Sequence, residues 1–165
     1  MLIIALLLTC LMILIIQSDL RKYIIPNWIT GCLLLLYPVA VVLSPVRPDW
    51  KIALLIALGM FAVGFVLFAA RIMGGGDIKL LPVTALYAGK ESFLDFIVGV
   101  ALLGGILTLL LLALRPFTAY AFSRIKSPPP IPRVLTTGEP VPYGLAIAGC
   151  FLALLWAGKL PGIVF

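Results

Sequence analysis

Residues 96–114 read FIVGVALLGGILTLLLLAL, an apolar run without one charged side chain. Wound as a helix it is about 28 Å long, close to the roughly 30 Å hydrocarbon core of a bilayer. Working outward, comparable charge-free runs occupy 1–18, 23–46, 52–70 and 140–158. Each is long enough to cross a membrane as a helix. A shorter run, 80–89, lies between Lys79 and Lys90. With Ile78 and the preceding Gly-Gly-Gly-Asp it predicts a sixth, partly shielded helix. The expected fold is all-α: a polytopic integral membrane protein of about six transmembrane helices, forming one domain over 1–165.

Composition agrees. Of the 165 residues, 64% are hydrophobic and 11% charged, against roughly 25% charged in a soluble domain. Mean hydropathy is +1.26. A water-soluble globule and a disordered chain are both excluded. The net charge of +6 comes from 12 basic and 6 acidic residues scattered between apolar runs. No basic stripe exists for nucleic acid, so the surplus reads as topology and contact with membrane lipid. There is no histidine, which removes Ser-His-Asp triads, Cys-His pairs and His-ligated metals. Cys10, Cys32 and Cys150 are far apart and read as packing residues.

The N-terminal run lacks a basic leader and a small-residue cleavage site, so it reads as a retained first span. An even number of spans puts both termini on one side. Arg21, Lys22, Arg71, Lys79, Arg115, Arg124, Lys126 and Arg133 fall in the odd-numbered loops, and only Arg47, Lys51, Lys90 and Lys159 fall elsewhere. The positive-inside rule then makes loops one, three and five cytoplasmic and both termini non-cytoplasmic. Residues 115–141 form the one substantial extramembrane segment, a cytoplasmic connector. Its Ser127-Pro128-Pro129-Pro130-Ile131-Pro132 favours stiff polyproline geometry. Ala101 and Gly105 form a small-xxx-small pair suited to close helix approach.

Acids at a membrane edge are costly, and each needs a reason. Asp49, Glu91, Asp95 and Glu139 sit beside bases or in the connector and read as solvated boundary charges. Asp19 closes the first span, and Asp77 follows Gly74-Gly75-Gly76 at the start of the fourth. The topology puts both at cytoplasmic span ends and at similar depth. The glycines permit backbone angles and close approaches that side chains forbid. Pro26 breaks the chain and Asn27 reads as the N-cap of the second helix. Physics alone leaves a structural reading open: Asp77 as a helix cap, Asp19 as a hydrated acid paired with Arg21 or Lys22.

Three blocks in order, Asp19-Leu-Arg-Lys-Tyr-Ile-Ile-Pro26-Asn27, then Gly74-Gly75-Gly76-Asp77-Ile78-Lys79-Leu80, then Pro142-Tyr143-Gly144, resemble the type IV prepilin peptidases. These are polytopic aspartic proteases of the GxGD kind, and the likeness is to the short forms associated with tight-adherence (Flp-type) pili. The resemblance implies that Asp19 and Asp77 are the catalytic pair. It implies removal of a short basic leader from prepilins at the cytoplasmic face of the bacterial inner membrane. Longer members also N-methylate the new terminus and carry an insert with paired CxxC motifs. This chain lacks the insert, so methylation is expected to be absent. Tyr143 and Gly144 shape the cleft by resemblance alone.

Two aspartates sharing a proton supply both the base and the acid of peptide hydrolysis, and no metal or cofactor is required. The backbone of 74–76 offers N–H and C=O groups to an extended substrate. Lys79, about 200° around a helix from Asp77, reads as a lipid-phosphate or connector contact. Three other readings exist; one, a non-catalytic assembly subunit of a secretion machine, explains the composition but gives no reason for two matched aspartates. A presenilin or signal-peptide-peptidase type shares the GxGD aspartate, but its first aspartate lies within a span, typically after tyrosine. A small proton-coupled transporter places acids at mid-span in two similar halves, which this sequence does not show.

Overall fold

The computed structural model describes residues 1–124 and 132–163. The proline run 127–130, with Lys126 and Ile131, lies outside the described residues, and so does the polyproline expectation. Regular structure among the described residues is entirely helical: α1 (Leu2–Lys22), α2 (Asn27–Leu43), α3 (Trp50–Ala69), α4 (Asp77–Ser123) and α5 (Tyr143–Trp156), with a 3-10 turn at Arg133–Leu135. By length and composition α1, α3 and α4 can each cross a membrane, whereas α2 and α5 are apolar but shorter. Outward faces carry large bare side chains, among them Val42 at 81% and Leu35 at 74% exposure. With no charge to replace them in the apolar runs, such faces belong in lipid. This is a membrane protein.

α4 is one element in the chain but two helices in space. Gly89, at φ 57 and ψ −165, is not helical. It separates a limb over 77–88 from a limb over 90–123. Asp77 and Ala101 line the same cleft, although each lies about 18 Å of helix from Gly89. The chain therefore doubles back at Gly89. The left-handed φ there is open to glycine at no steric cost. The sequence expectation of separate fourth and fifth helices corresponds to these two limbs. The second continues further than expected: residues 115–123, assigned to the connector by the charge at Arg115, are still helical.

Helix ends follow local chemistry. α1 stops at Tyr23, which takes a left-handed conformation (φ 52, ψ 33) and donates its N–H to the Asp19 carbonyl at 3.0 Å. Arg21 and Lys22 occupy the last turn, where cations suit the helix dipole. Pro26, not Asn27, caps α2. Its carbonyl accepts from the Ile29 N–H at 3.1 Å, and Asn27 is already the first helical residue. Asp49 caps α3, with Oδ1 accepting from the Ile52 N–H at 3.4 Å.

The core forms where α1, α2, both limbs of α4 and α5 converge. Tyr87 is 2% exposed at its centre. Its hydroxyl donates to the Leu33 carbonyl at 2.7 Å, and its ring meets Tyr37 and Phe151 edge-on at 5.2 and 5.6 Å. At the end away from Asp77, Lys159 pairs with Asp95 at 2.7 Å, the one ion pair among the described residues. Both partners are more than half exposed, so the pair contributes little.

Close approach between α4 and α5 runs through different glycines from those expected. Gly105 has nothing within 4 Å of a Cβ built on it, whereas one on Gly104 would stand 2.8 Å from Tyr143 Cε1. The pair Ala101/Gly105 therefore does not pack α5; the neighbouring face does. Gly104→Val is expected to overpack this contact at about 1–3 kcal/mol and lower the thermal unfolding midpoint in detergent. Gly105→Val should leave it unchanged.

Candidate active site

The α1–α2 turn, the α3–α4 turn and the amino end of α5 meet around one side chain. Ile25 is 5% exposed. A Cβ on Gly76 would lie 3.1 Å from Ile25 Cγ1, and a Cβ on Gly144 would lie 3.0 Å from Ile25 Cδ1. Ile25 is thus wedged between two glycines from distant parts of the sequence. The wedge brings the Asp19 turn against the Asp77 turn.

A cleft of about 500 Å³ opens beside it. Asp19 and Asp77 both line it, with Tyr23, Met73, 74–76, Leu81, Val100, Ala101, Pro140, Val141 and Tyr143. Asp19 is the deeper acid, at 5% exposure. Its Oδ2 is buried without a hydrogen-bond partner. A Cβ on Gly144 would stand 2.7 Å from that oxygen, and the N–H groups of Gly144 and Leu145 face the carboxyl from the first turn of α5. The positive end of a helix is a favourable neighbour for a carboxylate. Asp77 is half-buried in the first turn of α4 and folds over Gly74, where a Cβ would lie 3.2 Å from Oδ2.

The local contacts that the structural reading calls for are not formed. Asp19 is buried and is not within ion-pair distance of Arg21 or Lys22, which are exposed. Asp77 does not cap α4; Gly76 holds the N-cap position, with no side-chain cap bond. None of the three glycines at 74–76 has a positive φ. Close approach is required at Gly76, against Ile25, and at Gly74, against the Asp77 carboxyl, whereas a Cβ on Gly75 would make only an ordinary contact with the Phe68 ring.

The remaining singled-out residues divide. Tyr143 lines the cleft, and its hydroxyl lies 3.4 Å from Thr108 Oγ1. Pro26, Asn27 and Lys79 are not part of its lining. Lys79 Nζ instead donates to Asn27 Oδ1 at 2.9 Å. This bond ties the start of α2 to the start of α4 on the far side of the limb, and it explains why Asn27 does not cap.

Sequence reasoning missed two residues. Arg115, counted only as a topological charge, donates through Nε to the Val134 carbonyl at 3.0 Å and through Nη2 to the Pro140 carbonyl at 2.9 Å. Thr118 Oγ1 adds a bond to the Leu135 carbonyl at 3.2 Å. The second limb of α4 thereby grips the strap 132–142, whose Pro140 and Val141 wall the cleft and whose end starts α5. Tyr23 lines the cleft with its hydroxyl buried and unpartnered. Burial, and next the Glu139 charge, hold that phenol above its usual range, so it stays protonated at neutral pH. Its left-handed backbone, unusual for a bulky residue, leaves no trace in the sequence that could have singled it out.

The signature of the type IV leader peptidase family matches residues 6–109. The chain belongs to that family. The match spans both aspartates and ends before the strap and α5. Comparison with curated proteins and with solved structures returned no match. The family makes the protein a peptidase of the leader-peptidase type.

Two outcomes follow from the site's construction. Gly144→Ala puts a methyl group 2.7 Å from Asp19 Oδ2 and 3.0 Å from Ile25 Cδ1. Peptidase activity should fall at least tenfold with the protein still inserted. Arg115→Lys keeps the charge but loses the two-pronged grip. Hydrogen exchange should quicken at strap amides 133–141 and not in α1 or α3.

Proposed function

We propose that this peptidase is an aspartic endopeptidase with Asp19 and Asp77 as its catalytic pair. The single observation that carries the reading is that both carboxyls line one cleft, the deeper one buried without a countercharge. A structural acid would be paired or hydrated.

Hydrolysis runs as follows. One carboxylate takes a proton from water as the water oxygen attacks the scissile carbonyl carbon. The other, protonated, hydrogen-bonds the carbonyl oxygen, which receives the π pair. As the tetrahedral intermediate collapses, the C–N bond breaks and its electron pair stays on nitrogen. A carboxyl proton passes to the leaving amine. Close like charges disfavour simultaneous ionisation, so the pair holds one proton between the two acids. The Gly-rich turn 74–76 and the Pro140-Val141 stretch of the strap both wall the cleft and suit a substrate held as a strand.

The substrate in this reading is a type IV or Flp-type prepilin, or a pseudopilin, cut between its short basic leader and its apolar helix. The cleft faces the cytoplasm, in the bacterial inner membrane. About six spans place both termini on the other side, and 115–141 lies at the cytoplasmic face. Supporting this orientation, Arg21 and Lys22 close α1 and Arg71 follows α3, the helix ends next to the cleft-lining turns. The chain has no CxxC pair, in keeping with cleavage without N-methylation.

The test is co-expression with a small pilin precursor, followed by size on a gel. Wild type should process the precursor. Asp19→Asn and Asp77→Asn should each reduce processing by more than a hundredfold while both variants stay in the membrane fraction. Unchanged processing in either variant removes that residue from the pair.

A further inference from the structure

A second concavity, about 560 Å³, lies between α2, α3 and the first limb of α4. Its walls include Gly31 and Leu34 from α2, Leu54 and Phe61 from α3, and Val83 and Leu86 from α4. No carboxylate lines it, and its polar side chains are Asn27, Thr30 and Lys79. From Lys79 to Leu86, and from Asn27 to Leu34, it runs about 10 Å along the helices. The groove is thus charged at one end and apolar along its length. A Cβ on Gly31 would meet nothing within 4 Å, so the missing side chain leaves that wall open.

The Lys79 ammonium has three donors and uses one on Asn27 Oδ1. It has no carboxylate within ion-pair distance. Arg21, Lys22 and Arg71, all exposed, stand at the same end of the bundle. The groove offers a cation at the membrane edge and an apolar trough descending from it. That complements an anionic headgroup above a hydrocarbon chain.

We infer that this groove seats one anionic phospholipid, with its phosphate on Lys79 and an acyl chain against Gly31. The substrate helix is a poorer occupant, because the 77–88 limb divides the two concavities. Asp77 and Leu81 face the cleft, whereas Lys79, Val83 and Leu86 face the groove. A second copy is also poorer, because two helical turns are short for a stable pairing of helices. The lipid site does not depend on the peptidase reaction.

The experiment is native mass spectrometry of the full chain in mild detergent, equilibrated with equal amounts of phosphatidylglycerol and phosphatidylcholine. Wild type should retain one phosphatidylglycerol, at least fivefold over phosphatidylcholine. Gly31→Leu on the α2 wall and Leu58→Trp on the α3 wall, where Leu58 also lines the groove, fill the trough from two sides, and each should lose the retained lipid. Lys79→Gln should keep a lipid but lose the preference between headgroups. Helical circular dichroism and monodisperse elution report folding; if one filling variant fails to fold, the other decides. Equal retention by a folded filling variant overturns the site. So does an unchanged headgroup preference in Lys79→Gln, or a lipid-free dimer crosslinked through position 31.

Discussion

The structure depends on one wedge. Ile25 stands between Gly76 and Gly144, and neither glycine could carry even a methyl group there without the contact giving way. Three segments distant in sequence are held at van der Waals distance by this side chain. Because interiors are close-packed, such a contact fixes relative position far better than a flexible surface tie would. The two acids then take their places as consequences. Asp19 lies six residues before the wedge, beside the first turn of α5, and Asp77 directly follows one of its glycine walls.

Burying an acid in this way has a cost, since a desolvated carboxyl without a partner is among the more expensive groups a protein can hold. The surroundings offset part of it through backbone rather than side chains. The first turn of α5 presents N–H groups to Asp19, and that turn is delivered by a strap that Arg115 grips at two carbonyls. A positively charged side chain is thus used at one remove. It orders the strap, the strap places the helix end, and the helix end faces the acid. A direct ion pair at Asp19 would have neutralised the group, whereas this arrangement leaves one carboxyl oxygen uncommitted.

Much of this was readable beforehand because its causes are local. Apolar runs announce helices, Gly-Gly-Gly-Asp announces a place where backbone comes close to a carboxyl, and the order of the blocks carries the family resemblance. What escaped reading is long-range. Asn27 looks like a cap on any local rule, and only the presence of Lys79, 52 positions away, redirects its side chain. Ala101 and Gly105 have the right spacing for helix contact, but the face that meets α5 is set by where Tyr143 lies against Gly104. Arg115 looked like the end of a span because charge ends spans. The helix continues past it because the guanidinium finds two carbonyls on the strap. Tyr23 had no local pattern to distinguish it beyond its awkward backbone angle.

The doubling-back at Gly89 has a mechanical side. The limb over 77–88 is a stiff rod about 18 Å long, with the acid at one tip and the glycine at the other. Rotation by 5° about Gly89 would swing that tip by roughly 1.6 Å, half the length of a hydrogen bond. The angular precision of a joint on one side of the bundle therefore sets the tolerance of a carboxyl on the other. Pro161 and Glu91 lie within about 3.2 Å of where a side chain at Gly89 would begin, so the joint has no room for a larger residue.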